Sequence, residues 1–222
     1  MSLYLSRLTL SRAPAAAALD ALLNPGDEGA RCDAHHRLLW TLFTDGPDRR
    51  RDFLWRDEGK GVFLTLSARP PLANDLFEPP QVQEFAPTLA QGDRLAFALR
   101  VNATRDRAGA GRVDVVMDAL HALPPEDRAG ARMALAQREG AAWLAGQGAR
   151  SGFRLIGAEV GDYATVTLPG FRGRRKGQPQ FGILEMTGLL EVTDPAALVA
   201  RLGQGFGRAK AFGCGLMLVR RA

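Results

Sequence analysis

The chain has 222 residues, 46% hydrophobic and 24% charged, with a formal net charge of +5. That length suits one large domain or two small ones, and that balance describes a globular protein, not a disordered one. No run approaches the ~20 apolar residues of a membrane span. The alanines at 15–18 are too few, and too soon followed by Asp20 and Asn24-Pro25, for a signal-peptide core. Cys32 and Cys214 match no zinc or redox spacing, so the expected setting is reducing and cytoplasmic, without a bound metal or cofactor.

In chain order, MSLYLSRLTLS (1–11) alternates apolar and polar as a half-buried strand does. RCDAHHRLLWTLF (31–43) predicts an amphipathic helix over about 33–44, with Asp33 as N-cap and Gly46-Pro47 as its stop. DFLWRDE (52–58) and GVFLTLSA (61–68) read as strands joined by a Gly-Lys-Gly turn. The proline-rich stretch 69–93 is expected to hold a second short helix, a last strand and a linker.

A second cycle opens with the strand RLAFALRVNA (94–103). A Gly- and Arg-rich loop leads to a helix over 125–146, with Pro125, Glu126 and Asp127 at its start. FRLIGAEVG and DYATVTLPG (153–170) and QFGILEMTGLLEV (180–192) are strand-like. Asp194-Pro195 opens a helix to about Leu202, and AFGCGLMLVRR closes the chain as a strand. The expectation is an α+β protein of two tandem ferredoxin-like (RRM-like, βαββαβ) domains, residues 1–90 and 91–222, with a C-terminal glycine-rich loop. Such folds host many functions, so the site must be argued separately.

The positive charge is clustered at Arg49–Arg51, at Arg172, Arg174, Arg175 and Lys176, at Arg208 and Lys210, and at Arg220–Arg221. In GQGFGRAKAFGCG (203–215), glycines including Gly205, Gly207, Gly213 and Gly215 frame Arg208 and Lys210. Glycine lets backbone amides approach phosphate oxygens, and the cations add charge. It is not a P-loop: Lys210 lies between alanines, and the segment runs from helix to strand. PGFRGRRKGQPQFG (169–182) carries four cations on a projecting hairpin tip, suited to the phosphates lining the deep groove of an RNA stem.

The chain has three histidines, two of them adjacent. His36, Leu39, Trp40 and Phe43 fall on one helical stripe, and His35, Leu38, Leu39 and Leu42 on the next. Periodicity leaves open which ring faces the core and which a ligand. Adjacent histidines point about 100° apart, a poor metal pair.

HRLLW (36–40), PDRRRDFLW (47–55) and the terminal GFGRAKAFGCGL (205–216) together resemble the CasE family, the Cascade-type CRISPR repeat-RNA endoribonucleases, along the whole chain. The resemblance implies metal-independent cleavage of precursor RNA at repeat hairpins, with the protein remaining on the mature guide RNA among the other Cascade subunits. It selects His36, four residues before Trp40, as the catalytic histidine, with Arg37 beside it. Where some relatives carry tyrosine three residues before that histidine, this chain has Asp33, which lacks a phenol's hydrogen bond but can cap the helix or orient His36. The basic hairpin and the glycine-rich loop are the implied RNA contacts.

Three other readings are weaker. A non-catalytic RNA-hairpin-binding subunit would hold the same RNA without cutting it. A generic tandem RRM binder needs aromatic RNP motifs, and a two-histidine phosphoesterase needs a second His-x-Thr/Ser, whereas His121 precedes Ala122-Leu123.

Overall fold

The computed structural model describes residues 2–14, 18–44, 46, 50–109, 111–169 and 180–222. The chain forms two compact units: residues 1–86, 166–180 and 210–213, and residues 87–165, 181–209 and 214–222.

In the first unit, β1 (Tyr4–Thr9) is followed by the short α1 (Asp20–Leu23) and by α2 (Glu28–Trp40), then by β2 (Phe53–Gly59), β3 (Val62–Ser67) and β4 (Gln81–Glu84). The sheet order is β2-β3-β1-β4, with β1 antiparallel to β3 from Tyr4↔Ser67 to Thr9↔Val62. That is the ferredoxin-like arrangement, two hairpin strands on one side and the closing strand on the other. Leu38, Leu39, Leu42 and Phe43 from the α2 segment pack on Leu8, Phe53, Trp55, Phe63 and Phe77. The expected second helix is absent. Pro70, Pro71, Pro79 and Pro80 remove amide donors from 68–80, which crosses as an irregular segment, with Leu72 N–H donating to the Leu42 carbonyl (2.8 Å) and Phe77 buried in the core.

The second unit begins with β5 (Arg94–Val101), whose Leu95, Phe97, Leu99 and Val101 are buried in strict alternation. The stretch read as a loop is a hairpin, β6 (Thr104–Arg107) and β7 (Gly111–Asp114), then α3 (Val115–His121). Arg112 clasps Asp106 through two bonds (2.9 and 2.8 Å), and Asp114 caps α3 by accepting from the Val116 and Met117 amides. After a 3-10 turn at Pro125–Asp127 come α4 (Arg128–Gly148), β8 (Phe153–Thr167), β9 (Gln180–Val192), α5 (Pro195–Gln204) and β10 (Met217–Arg221). The strand-like stretch 153–170 forms one strand as far as Thr167, with Gly161 exposed in an ordinary extended conformation. Asp194 caps α5 by accepting from the Ala197 amide (3.0 Å). The order β10-β5-β9-β8 repeats the ferredoxin-like topology. Among the described residues no helix is long and apolar enough to cross a membrane.

Candidate functional site

The α2 helix starts earlier than its sequence suggests. Asp27 is the N-cap, its carboxylate accepting from the Ala30 amide at 2.7 Å, and the helix ends at Trp40. Asp33 therefore lies inside the helix and is not the cap. It pairs with Arg37 one turn on, at 2.7 Å; Arg37 is exposed and Asp33 half-buried.

The two histidines separate cleanly. His35 is 3% exposed and packs edge-on against Phe63 and Trp55. Its Nε2 is 3.0 Å from Asn24 Oδ1, and its Nδ1 is 3.3 Å from Asp57 Oδ2. Asn24 is itself oriented, since its amide nitrogen donates to Asp20 (2.7 Å). His35 is a core histidine with both nitrogens matched.

His36, about a hundred degrees round the helix, is half-buried. Trp40 Nε1–H donates to its Nε2 at 3.3 Å. An indole N–H can only donate, so Nε2 must accept, and the ring proton sits on Nδ1. Nδ1 is closed off from solvent without a hydrogen bond of good geometry, although the nearby Ala211 carbonyl favours a proton on the ring. Phe212 lies against the other side, with ring centroids 5.6 Å apart.

The tripeptide carrying that contact, Lys210–Phe212, is a 3-10 turn held on β2. Trp55 Nε1–H donates to the Ala211 carbonyl (3.1 Å). Gly213 follows at φ +77°, and a Cβ there would lie 3.1 Å from the Trp55 ring.

Burial lowers the His36 pKa below its usual 6.5, and Arg51 lowers it further. Asp33 and the Ala211 carbonyl oppose that, while Arg37 adds a smaller lowering. The Trp40 bond works in the same direction as burial, because an imidazolium has no lone pair to offer. The resting ring is neutral near pH 7.

Arg51 was visible in the sequence as one of three consecutive arginines, with nothing to single it out. It is half-buried, burial depresses its own pKa, and its Nη1 is enclosed without a hydrogen-bond partner among the described residues. The signal was its register: extended chain repeats every two residues, which sets Arg51 on the side of Phe53 and Trp55 that α2 covers. Phe212 and the Trp40 N–H were likewise not anticipated.

The remaining predicted residues are placed as follows. Gly205, Gly207, Gly213 and Gly215 all have positive φ, from 63° to 93°. A Cβ on Gly207 would come within 2.4 Å of the Asn102 carbonyl oxygen. The Phe206, Arg208 and Gly215 amides donate to Gly215, Asn102 and Arg100 carbonyls. Backbone geometry thus accounts for these glycines, and those three amides are committed within the fold. Arg208 is exposed. Arg172, Arg174, Arg175 and Lys176 lie outside the described residues. Among the described residues no group of three or more His, Cys, Asp or Glu side chains could hold a metal ion.

A family model described as CRISPR associated protein matches residues 3–221. The CRISPR-associated endoribonuclease Cse3 of Thermus thermophilus is 30% identical over 224 residues, 89% of this chain and 96% of that protein. The chain belongs to the CasE (Cse3) family of CRISPR-associated proteins. Similar solved structures include Cse3 bound to a 19-nucleotide RNA, 26% identical with a TM-score of 0.68 over 99% of this chain and 98% of that one. Thermus thermophilus Cse3 bound to an RNA representing a pre-cleavage complex is 26% identical with a TM-score of 0.65, over 99% of this chain and all of that one. CasE family membership accounts for the two ferredoxin-like units and for the co-occurrence of HRLLW and the terminal glycine motif.

Proposed function

We propose that this chain is a metal-independent endoribonuclease that cuts CRISPR precursor RNA at its repeat hairpins and stays on the guide RNA within Cascade. The observation that carries the reading is the setting of His36: a neutral, half-buried imidazole beside a cation with an unmatched donor, in a family whose named relative is an endoribonuclease.

The chemistry needs little beyond what RNA brings. The ribose 2′-OH next to the scissile phosphate loses its proton and attacks phosphorus in line. The P–O5′ bond breaks, the departing oxygen takes up a proton, and the products carry a 2′,3′-cyclic phosphate and a 5′-OH. A neutral His36 accepts the 2′-OH proton, or once protonated delivers one to the leaving oxygen. To reach RNA from either nitrogen, the ring must exchange the Trp40 bond or part from the 210–213 turn.

Arg51 supplies the positive charge that the pentavalent phosphate requires, and its enclosed Nη1–H donates to an equatorial oxygen once the side chain opens toward the RNA. Asp33 restrains Arg37 as a surface cation on the same helix. Arg208 and Lys210 contact the backbone of the hairpin, on a loop that the four glycines shape, and the 172–176 arginines and lysine grip the stem.

Incubation of the protein with end-labelled repeat RNA, followed by end-group analysis, tests this. The account expects a single cut with 2′,3′-cyclic phosphate and 5′-OH ends. A 5′-phosphate would mean that water attacks, and bound but uncut RNA would make the chain a structural hairpin-binding subunit.

A further inference from the structure

The second unit carries a cleft of about 620 Å³ that the cleavage chemistry does not use. It is lined by Trp143 and Gly146 of α4 and by Arg150 just past the end of that helix. Arg201 of α5 and Arg208 of the glycine-rich loop close one side, and the β6–β7 hairpin closes the other. The volume is that of an ordinary small-ligand site, large enough for a nucleotide unit.

Its charge is unbalanced. Five arginines line it against two carboxylates, Asp106 and Glu139. Both carboxylates are committed: Asp106 to Arg112, and Glu139 to Arg105 and Arg138. Arg150 and Arg201 have no carboxylate partner among the described residues, yet Arg150 stands close enough to Arg201 to disfavour its charge. Arg201 is stacked over the Phe206 ring at 4.9 Å, and its Nη2 donates to Gln147 (3.2 Å). Its Nε–H is buried with no acceptor among the described residues. Helix C-terminal dipoles account for a cation near each helix end, but not for an enclosed guanidinium N–H left unmatched beside a second cation.

Two neighbouring cations without a carboxylate partner among the described residues, Arg150 exposed and Arg201 stacked on an aromatic ring, are stabilised by an anion with several acceptor oxygens. A tetrahedral phosphodiester offers acceptors in more directions than a planar carboxylate, which suits guanidiniums arriving from the turn after α4, from α5 and from the loop. The Trp143 ring, fixed by its N–H donating to the Thr104 carbonyl (3.0 Å), gives the cleft wall an apolar surface against which a base can stack.

We infer that the Trp143/Arg150/Arg201/Arg208 cleft binds a phosphodiester of the RNA other than the scissile one, a reading that rests on the RNA substrate proposed above. It adds a sequence-independent anchor to the site around His36.

The test is a fluorescence-anisotropy titration of the full chain with repeat-hairpin RNA, with and without a ten-nucleotide single-stranded 5′ extension, across salt concentrations. Arg150→Ala removes an exposed cation. Gly146→Glu puts a carboxylate into the cleft at a helical position where a Cβ meets nothing within 4 Å, and glutamate is a better helix former than glycine. Thermal melts confirm that both variants fold. Each is expected to weaken binding by about 3- to 30-fold, and Arg150→Ala to lower the slope of log K against log salt by about 0.7–0.9. A loss confined to the extended RNA assigns the phosphodiester to the single-stranded flank, and an equal loss with the bare hairpin assigns it to the stem. Unchanged affinity and slope in both variants with both RNAs overturn the inference, including the case in which the cleft takes an acidic segment of a protein instead. Cleavage is read on the same samples, so RNA that is bound but not cut counts against the nuclease reading alone.

Discussion

Replacing Arg51 by alanine separates charge stabilisation from fold in a way few substitutions at a site allow. Arg51 is half-buried, with an enclosed Nη1 that makes no hydrogen bond among the described residues, and burial already works against its charge. Removing an unmatched buried charge does not cost the fold what removing a paired one does, so the melting temperature should hold or rise. Activity should fall steeply. Loss of one aimed donor to a developing oxyanion typically costs about 10²–10³ in rate, or about 2.7–4 kcal/mol. A second signature accompanies it. Arg51 stands after burial among the causes that lower the His36 pKa, so without it that pKa moves up. If His36 is the base, the rate rises with pH to a plateau, and the wild-type midpoint lies below 6.5. If it is the acid, the rate falls through the same midpoint. In either case Arg51→Ala shifts the midpoint upward. Single-turnover cleavage at subsaturating protein, from about pH 5 to pH 8, reports the titration of the free protein and reads both effects. A rate within about threefold of wild type together with an unmoved midpoint would refute the placement of Arg51 beside the reacting phosphate.

Trp40→Phe removes the donor that selects the neutral His36 ring, so the pH–rate midpoint should move upward while the indole-sized packing is largely kept. Excess chelator should leave the rate unchanged, and a single 2′-deoxy nucleotide at the cut site should abolish cleavage without weakening binding. A chelator-sensitive reaction, or a cut deoxy substrate, contradicts attack by the ribose hydroxyl. His35→Ala should cost about 2–4 kcal/mol in a denaturant melt, because it opens a cavity against Phe63 and Trp55 and removes the ring that faces Asn24 Oδ1 and Asp57 Oδ2.

Most of the strand order was legible because the apolar alternation of 94–103 and 61–68 and the Asp194-Pro195 helix start are local signals. The errors fall where tertiary structure overrides local pattern. Asp33 has the chemistry of a cap, yet Asp27 takes that role and Asp33 is left to pair with Arg37. The 104–114 stretch reads as a polar loop, and its hairpin is secured by the Arg112–Asp106 clasp, a contact visible only once the strands are paired. At the site, periodicity placed both histidines on apolar stripes and could not rank them. His35 goes inward because its partners, Asn24 and Asp57, come from elsewhere in the chain. Phe212 was illegible because it reaches His36 from a segment remote in sequence, and Arg51 carried only its two-residue register with Phe53 and Trp55. The choice of His36 in the sequence rested on the HRLLW resemblance.

The central claim is that His36, and not its neighbour, moves the proton. The most direct measurement is single-turnover cleavage of repeat RNA by His36→Ala and by the isosteric core variant His35→Gln, each at protein concentrations that saturate binding. The account predicts that His36→Ala binds the hairpin with wild-type affinity and cuts it at least about a hundredfold more slowly, while folded His35→Gln still cuts. Comparable cleavage by the two variants would contradict it.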